Sequence, residues 1–269
     1  MRRSLQIPIA LTIAGSDSGG GAGVQADLRT FAALGVHGTS AIACLTAQNP
    51  RSVRAIEGVP RRFVREQLEA VFAELCPAAV KTGMLFSAGV IREVAAFFRQ
   101  LGAEAPPLIV DPVMVATSGA RLLTPPALRA LENDLLPLAS LVTPNLAEAE
   151  VLAGTRLRSV EELRRAAREL HLRFGCAALV KGGHLRGVRE AVDIFHDGRS
   201  ELMLSSPFIR GLRLHGTGCA YSAAITAHLA RGAGLTQAVR LGKEFIASAI
   251  EQSVLVSGHR VLNLASPRP

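Results

Sequence analysis

The chain has no tryptophan, one tyrosine and ten phenylalanines in 269 residues, so aromatic side chains supply little of its apolar volume. Nevertheless, 49% of the residues are hydrophobic. A core of this composition must be largely aliphatic and rich in alanine, which is typical of a sheet covered by helices. The same apolar content excludes an intrinsically disordered chain.

Cysteine is scarce and scattered. The four cysteines are Cys44, Cys76, Cys176 and Cys219, and none belongs to a Cys-x-x-Cys motif. This spacing excludes a zinc ribbon and a paired redox site. Isolated cysteines are typical of a reduced compartment, and we expect a cytoplasmic protein.

Lysine is scarce as well, because only three of the thirty basic residues are lysines, although the formal net charge is +8. The arginines occur singly or in pairs, and no basic run is interleaved with aromatic residues that could stack on bases. We therefore expect no nucleic-acid partner and interpret the arginines as part of a solvated surface.

No segment has the character of a membrane span. Residues 30–50 carry no Asp, Glu, Lys or Arg, but His37, Gln48 and Asn49 make this segment too polar for lipid. Residues 7–14 form a short apolar run that polar residues interrupt, which favours a first buried strand over a signal peptide. We expect a soluble protein with no membrane partner.

Short apolar runs alternate with longer segments of helical periodicity. Strands are predicted at residues 7–14, 40–47, 78–82, 108–110, 141–143, 178–181, 191–195 and 201–204. Helices are predicted at residues 21–34, 61–75, 88–101, 125–135, 145–153, 159–174, 216–231 and 235–250. This alternation indicates βαβ units and a mainly parallel sheet. Because no linker-like segment divides the chain, we predict a single domain over residues 1–269.

Polar residues follow the predicted strands where each strand ends. Gln48 follows the second strand, Lys81 lies at the end of the third, Asp111 follows the fourth, Asn145 follows the fifth and Lys181 ends the sixth. Ligands of parallel sheets bind at the carboxyl ends of the strands. Loops are commonly polar for no functional reason, but the repeated placement of such side chains at strand ends favours a binding cleft.

A glycine-rich loop at residues 15–23 joins the first strand to the first helix. Such a loop lets the backbone approach a ligand and directs amides at it. Gly21, Gly23 and Ala26 also satisfy the spacing of a dinucleotide-binding fingerprint. That motif requires an acidic residue about 20 positions further on, and residues 28–56 contain none. A nicotinamide-dependent reductase is therefore disfavoured.

A second loop, residues 215–219 (HGTGC), precedes an alanine-rich apolar segment. Gly216, Thr217 and Gly218 at a helix start would offer free amides and the positive end of the helix dipole to an anion. Cys219 in the first helical turn would have its thiolate stabilised by the same dipole, which suggests acid–base chemistry beside a transferred phosphoryl group. The alternative is a tight loop that leads into a buried helix and carries a buried thiol.

Asn145 and Glu148 stand three residues apart at the start of a predicted helix. A carboxamide and a carboxylate so placed could order a hydrated magnesium ion, which keeps most of its water ligands, and Asp111 could join that site. Lys181 could act as a point charge on a polyphosphate. The alternative for Asn145 and Glu148 is a simple N-terminal helix cap.

Seven motifs occur in a characteristic order. They are residues 15–28 (GSDSGGGAGVQADL), 46–49 (TAQN), 81–84 (KTGM), 110–114 (VDPVM), 143–148 (TPNLAE), 181–184 (KGGH) and 215–219 (HGTGC). Together they resemble the hydroxymethylpyrimidine/phosphomethylpyrimidine kinases of thiamine biosynthesis, which belong to the ribokinase-like superfamily. The resemblance extends from about residue 11 to residue 250.

This resemblance implies a three-layer α/β/α sandwich, ATP as phosphoryl donor and Mg²⁺ as cofactor. It also implies two reactions, in which 4-amino-5-hydroxymethyl-2-methylpyrimidine is phosphorylated and its monophosphate is then converted to the diphosphate. The resemblance also implies a role for each site residue. Gly216, Thr217 and Gly218 would form the anion hole, and Cys219 would hold the catalytic position. The pyrimidine pocket would be lined by Gly15, Asp27, Gln48, Met84 and Val113. The magnesium and phosphate region would contain Asp111, Glu148 and Asn145, and the nucleotide side would contain Lys181 and Thr143.

Some positions differ from the usual family pattern. Thr117 stands where lysine is frequent, Ala220 stands where threonine is frequent, and the stretch before His215 contains Arg213, which could supply a cation. The nearest rival function is a pyridoxal kinase of the same superfamily, which Cys219 in place of aspartate disfavours. A non-catalytic ligand sensor is disfavoured by the presence of Cys219, Lys181 and Asp111. Members of the superfamily are often dimers, and we expect a homodimer that acts on small molecules.

Overall fold

Nine strands form one sheet in the part of the chain that the computed structural model describes, residues 6–114, 122–183, 185, 187–209 and 214–265. They are β1 (Ile9–Asp17), β2 (His37–Asn49), β3 (Ser52–Gly58), β4 (Ala79–Thr82), β5 (Leu108–Val110), β6 (Leu141–Val142), β7 (Ala177–Lys181), β8 (Glu190–His196) and β9 (Glu201–Pro207). Their order is β3-β2-β1-β4-β5-β6-β7-β8-β9. Six neighbouring strands, β2, β1, β4, β5, β6 and β7, run parallel to one another. Strands β3, β8 and β9 are antiparallel to their neighbours.

Eight α-helices cover the two faces of this sheet within the described ranges. They are α1 (Gly23–Ala33), α2 (Arg61–Glu74), α3 (Ala88–Leu101), α4 (Pro125–Ala130), α5 (Leu146–Ala153), α6 (Val160–Phe174), α7 (Thr217–Ala230) and α8 (Leu235–Glu251). Residues of α2 to α6 share one apolar core, whereas α7 and α8 share another on the opposite face. The mainly parallel α/β sandwich expected from the sequence is therefore confirmed.

The strands between the two layers are apolar on both faces. Leu108 and Val110 of β5 belong to the core under α2 to α6, and Ile109 between them belongs to the core under α7 and α8. All three side chains are buried. This period-2 alternation explains why the central strands are continuous apolar runs in the sequence.

Helix α7 is buried almost all round. Ala220, Ala223, Ala224 and Ala227 have no measurable exposure, which accounts for its high alanine content. A Cβ on Gly242 of α8 would lie 2.6 Å from Ile225 of α7, so these two helices pack at close range. The first turn of α7 is thereby held firmly over the sheet.

Several element boundaries differ from the sequence prediction. Strand β1 continues to Asp17 and β2 continues to Asn49, so Gly15 and Gln48 lie within strands rather than after them. Strand β3 and a small hairpin, β10 (Val254–Val256) with β11 (His259–Val261), were not predicted. The predicted helix at 125–135 ends as α4 at Ala130 and continues as a π-helical turn, Leu131–Leu135.

None of the helices in the described ranges is long and apolar enough to cross a lipid bilayer. The single domain over residues 1–269 stays a prediction.

Candidate active site

The carboxyl ends of the parallel strands meet beneath the first turn of α7. Asp111 follows β5 and accepts a hydrogen bond from Ser222 of α7 at 3.2 Å. On its other oxygen, Asp111 pairs with Lys181 of β7 at 3.3 Å. Because all these strands point the same way, residues far apart in sequence converge here, as the row of polar strand ends predicts.

The glycine-rich loop after β1 is organised by one carboxylate. Asp17 accepts hydrogen bonds from the amides of Gly19 at 2.8 Å, Gly21 at 3.1 Å and Ala22 at 2.9 Å. Burial raises the pKa of Asp17, but hydrogen bonds from His215 and from these amides outweigh it, and the net pKa is lowered. Asp17 therefore stays charged and keeps the loop folded back on itself.

The second loop packs directly on the first. Gly216 caps α7 with φ +82°, and a Cβ at this position would lie 1.8 Å from the carbonyl oxygen of Gly21. A Cβ on Gly218 would lie 3.3 Å from Lys181 Nζ and 3.7 Å from Asp111 Oδ2. Gly216, Thr217 and Gly218 thus begin α7 between the glycine-rich loop and the Asp111–Lys181 pair. Helix-start amides beside a lysine ammonium form a suitable environment for a phosphate group.

Cys219 lies in the same first turn, in surroundings that shift its pKa. Burial raises the pKa of its thiol to about 11, and the charges of Asp27 and Asp111 act in the same direction. The Lys81 ammonium and a hydrogen bond from the Gly23 amide oppose this rise. Burial thus acts against a thiolate in the protein without ligands, and the stabilisation of a thiolate by the helix dipole stays a prediction.

A buried ion pair lies beneath Cys219. Asp27 is fully buried and accepts hydrogen bonds from Lys81 Nζ at 2.8 Å and from Thr12 Oγ1 at 2.6 Å. Burial lowers the pKa of Lys81, but Asp27, Cys219 and Asp111 outweigh it, so the net pKa is raised and Lys81 stays charged. Asp27, which the resemblance assigned to the pyrimidine pocket, therefore uses both oxygens within the protein. Lys81 is an additional charged group that the sequence prediction did not assign to the site.

An apolar wall stands at the ends of β1 and β4. Met84 is buried with Cys44 and Leu122, and Val113 packs against them. A Cβ on Gly15 would lie 2.7 Å from Cys44 Sγ and 3.8 Å from Met84 Cβ. The structure thus brings together three residues assigned by resemblance to the pyrimidine pocket, namely Gly15, Met84 and Val113. Val113 has φ +41°, a left-handed conformation that is strained for a β-branched residue.

Gln48 reaches the glycine-rich loop from β2. Its side-chain nitrogen lies 2.7 Å from His215 Nε2, and the same histidine nitrogen lies 3.3 Å from Asp17 Oδ2. Sequence reasoning named His215 only as part of a motif and gave it no role. Its position directly before Gly216 is the signal that could have identified it.

Asn145 and Glu148 form a capping box at the start of α5. Asn145 Oδ1 accepts from the Glu148 amide at 3.0 Å, and Glu148 Oε2 accepts from the Asn145 amide at 2.9 Å. Glu148 Oε1 accepts from the Met114 amide at 3.1 Å. Burial and the nearby charge of Asp111 raise the pKa of Glu148, although Lys181 and the two amides oppose this effect. The alternative of a helix cap is thus correct, and the capping carboxylate also faces Asp111.

These groups are suited to a hydrated cation. Asp111 and Glu148 are two buried carboxylates close enough to disfavour each other's charge, and a cation would relieve that repulsion. The hydroxyl of Thr143, at the end of β6, is buried without a hydrogen-bond partner in the described residues. In the described ranges no group of three or more His, Cys, Asp or Glu could hold a metal ion. Two carboxylates suit Mg²⁺, which usually keeps several water ligands.

Three residues singled out from the sequence, Thr117, His184 and Arg213, lie outside the described residues. Ala220, where the family often has threonine, is fully buried in α7.

Comparison with known proteins gives a consistent result. Residues 17–263 match the phosphomethylpyrimidine kinase family. The chain is 50% identical over 243 residues to a hydroxymethylpyrimidine/phosphomethylpyrimidine kinase from Rhizobium meliloti, with 90% of each chain covered.

Two solved structures have the same fold. A phosphomethylpyrimidine kinase from Clostridium difficile has a TM-score of 0.79 and 42% identity, with 91% of this chain and 100% of that chain covered. A Bacillus subtilis pyridoxal kinase, solved as an ADP complex, has a TM-score of 0.87 and 36% identity, with 96% of this chain and 97% of that chain covered. The ribokinase-like fold expected from the resemblance is thereby confirmed.

Proposed function

The chain belongs to the phosphomethylpyrimidine kinase family and is a phosphotransferase, and from this premise we propose that it phosphorylates 4-amino-5-hydroxymethyl-2-methylpyrimidine with ATP. In a second reaction it converts the monophosphate to the diphosphate, as a step of thiamine biosynthesis. The observation that carries this proposal is the contact of two glycine loops, at Gly21 and Gly216, directly beside the Asp111–Lys181 pair.

The pyrimidine binds between the apolar wall and Gln48 in this proposal. Gly15, Met84 and Val113 pack against the ring, and the Gln48 carboxamide supplies one acceptor and one donor. An aminopyrimidine presents the complementary pair, an N–H donor beside a ring-nitrogen acceptor. Asp27 lines the pocket in this proposal and also holds Lys81 beneath the reacting groups through their 2.8 Å contact.

The transferred phosphoryl group lies at the start of α7. The amides of Gly216, Thr217 and Gly218 donate to its oxygens, and the Lys181 ammonium balances their charge. The hydroxymethyl oxygen forms a bond to the γ-phosphorus while the bond from that phosphorus to the ADP oxygen breaks. The hydroxyl proton must leave in the first reaction, and we assign its acceptor as Cys219 in the first turn of α7.

Cys219 is placed where a general base is needed, but its raised pKa favours the neutral thiol over the thiolate. At a pKa of about 11 the thiol is protonated near neutral pH, so it accepts a proton only if bound ligands lower that pKa. Additional positive charge near Asp111 would do so, because Asp111 is one of the groups that raise the pKa of Cys219.

Asp111 and Glu148 hold the hydrated Mg²⁺ in this proposal, and Lys181, Thr143 and Asn145 line the nucleotide side. Bound Mg²⁺ supplies charge neutralisation for the phosphate oxygens. The protein's own contribution is to hold the two carboxylates before any ligand arrives. The capping box and the Met114 amide hold Glu148, and Ser222 and Lys181 hold Asp111.

A pyridoxal kinase is the alternative that a specific observation favours, namely the TM-score of 0.87 to the Bacillus subtilis enzyme. ADP release should be measured with the pyrimidine, with pyridoxal and with neither acceptor, and NADH oxidation should be measured in parallel. ADP release that depends on the pyrimidine supports the proposal. Release that depends only on pyridoxal supports the alternative, and release that neither acceptor increases above the background without acceptor would reject both.

We also propose that the protein is cytoplasmic and acts as a homodimer. Light scattering combined with size-exclusion chromatography would test the dimer.

A further inference from the structure

His215 lies between two side chains that come from different strands. Its Nε2 is 3.3 Å from Asp17 Oδ2 at the end of β1 and 2.7 Å from the carboxamide of Gln48 near the end of β2. The ring also packs on the glycine-rich loop, because a Cβ on Gly21 would lie 3.1 Å from His215 Cδ2. A single imidazole nitrogen thus faces both groups.

Only one assignment of hydrogens is compatible with a carboxylate here. An imidazole nitrogen carries either one hydrogen or one lone pair, and a carboxylate only accepts hydrogen bonds. A lone pair on Nε2 would face a negative oxygen at 3.3 Å, which is repulsive. A hydrogen on Nε2 is attracted by Asp17, and the Gln48 atom that faces it must then be an acceptor. The nitrogen and oxygen of a carboxamide have nearly the same shape, and a half-turn about the last side-chain bond exchanges them. The Gln48 atom placed as nitrogen at 2.7 Å from Nε2 is therefore reassigned as the oxygen.

We propose that Asp17 and His215 orient the Gln48 carboxamide for the pyrimidine. Asp17 keeps a hydrogen on His215 Nε2, that hydrogen holds the Gln48 oxygen, and the Gln48 nitrogen is left to donate to the ring nitrogen of the substrate. His215 and Asp17 are positioning residues in this scheme, because they act through Gln48. The role of Gln48 toward the pyrimidine rests on the function proposed above.

Asp17 is well suited to this role because it is fixed and charged. It accepts from three loop amides and its pKa is lowered, so it remains an anion near neutral pH. The Gln48 backbone is fixed independently, because its amide donates to Ser18 Oγ and its carbonyl accepts from the same hydroxyl, both at 2.8 Å. With the backbone held, the side-chain torsions are the remaining freedom, and the last of them sets which end of the carboxamide faces the substrate.

The orientation of the Gln48 carboxamide matters because the reversed orientation repels both the amino group and the ring nitrogen of the pyrimidine. A reversed carboxamide places its N–H groups against the amino group of the pyrimidine and its oxygen against the ring-nitrogen lone pair. Both contacts are repulsive, so a freely rotating Gln48 must be ordered whenever substrate binds. Fixing it beforehand removes that cost.

The hydrogen position can be measured on the ligand-free enzyme. Protein labelled with ¹⁵N-histidine should show an Nε2–H form of His215 in long-range ¹H–¹⁵N spectra, with the resonance assigned by its loss in His215→Gln. An Nδ1–H tautomer with bare Nε2 would overturn the proposal. This measurement uses no substrate, so its failure is distinct from a failure of the pyrimidine kinase assignment.

Kinetics of three variants provide the second test. His215→Phe keeps a ring against Gly21 but removes the donor, and it should raise the pyrimidine KM about tenfold while the ATP KM changes little. His215→Gln restores an N–H donor and should recover part of the loss. His37→Phe, at the exposed start of β2, is the matched control and should leave the kinetics unchanged. Equal losses in His215→Phe for the pyrimidine, pyridoxal and ATP would reduce His215 to a packing residue.

Discussion

The backbones of Gly216 and Gly21 touch so closely that a methyl group on Gly216 would lie 1.8 Å from the Gly21 carbonyl oxygen. This contact joins the glycine-rich loop after β1 to the start of α7, although the two residues are far apart in the sequence. Neither loop can therefore move far without the other.

Gly216→Ala should disrupt the site, because alanine is both strained at φ +82° and in collision with Gly21. We expect destabilisation well above the roughly 1–2 kcal/mol of left-handed strain alone, with loss of most kinase activity. Gly232→Ala is the control, since its φ is +89° and nothing lies within 4 Å of its Cβ. Thermal melts of both variants measure the difference, and equal destabilisation would show that the contact is easily relieved.

The Cys219 thiol should ionise at high pH in the free enzyme. With a pKa of about 11, its alkylation rate should rise roughly tenfold per pH unit between pH 7 and 10. Cys76, the exposed cysteine of the described residues, should be replaced by serine beforehand, and labelling should be followed by mass spectrometry. Addition of Mg²⁺ alone should lower the apparent pKa, because it adds positive charge near Asp111. A thiol that titrates near pH 7 without ligands would contradict the buried environment described above.

Cys219→Ala should affect the two phosphorylations unequally. The first acceptor is a hydroxyl that must lose a proton, so we expect its kcat to fall about 100-fold or more. The second acceptor is a phosphate oxygen, which is largely deprotonated at neutral pH and requires no base. Its kcat should fall much less, and nucleotide binding should be nearly unchanged.

Single-turnover assays with the alcohol and with the monophosphate measure the two steps separately. Equal losses in both would indicate that Cys219 shapes the site rather than accepts the proton, and near wild-type kcat in both would make it a packing residue.

Glu148→Gln should change the magnesium dependence. The amide keeps the size of the side chain but removes the charge that faces Asp111, so a higher Mg²⁺ concentration is needed for half-maximal activity, while the pyrimidine KM changes little. Glu162→Gln is a matched control, because Ser159 and Glu162 form the same capping box at the start of α6. A superimposable magnesium titration of wild type and Glu148→Gln would leave Glu148 with the capping role alone.

Gln48→Leu should raise the pyrimidine KM strongly, because removing the carboxamide leaves two polar groups of the bound ring unpaired at roughly 1–3 kcal/mol each. Gln48→Glu should also bind poorly, since a carboxylate cannot donate to the ring nitrogen. ATP hydrolysis by water should change little in both. If the pyrimidine KM of Gln48→Leu matched that of the wild type and only the Tm shifted, Gln48 would be a structural residue of β2.

Local sequence patterns predicted the fold well wherever burial was strong. Buried strands such as β5 (Leu108–Val110) were recognised from their apolar runs, because both of their faces are covered. Strand β3 was missed because, at the edge of the sheet, none of its side chains is fully buried and no apolar run marks it. Its partner β2 was predicted too short for a related reason, since its end carries the polar Gln48 and Asn49.

The sequence by itself determined the alternation of strands and helices, the two glycine loops, the row of polar strand ends and the resemblance to one kinase family. These properties depend on residues that are close together in the chain or on the order of short motifs. The tertiary structure alone decided that Asp27 pairs with Lys81, that His215 joins Asp17 to Gln48 and that burial raises the pKa of the Cys219 thiol. Charge and hydrogen bonding at these positions depend on burial and on partners up to 198 residues away, which no local pattern specifies.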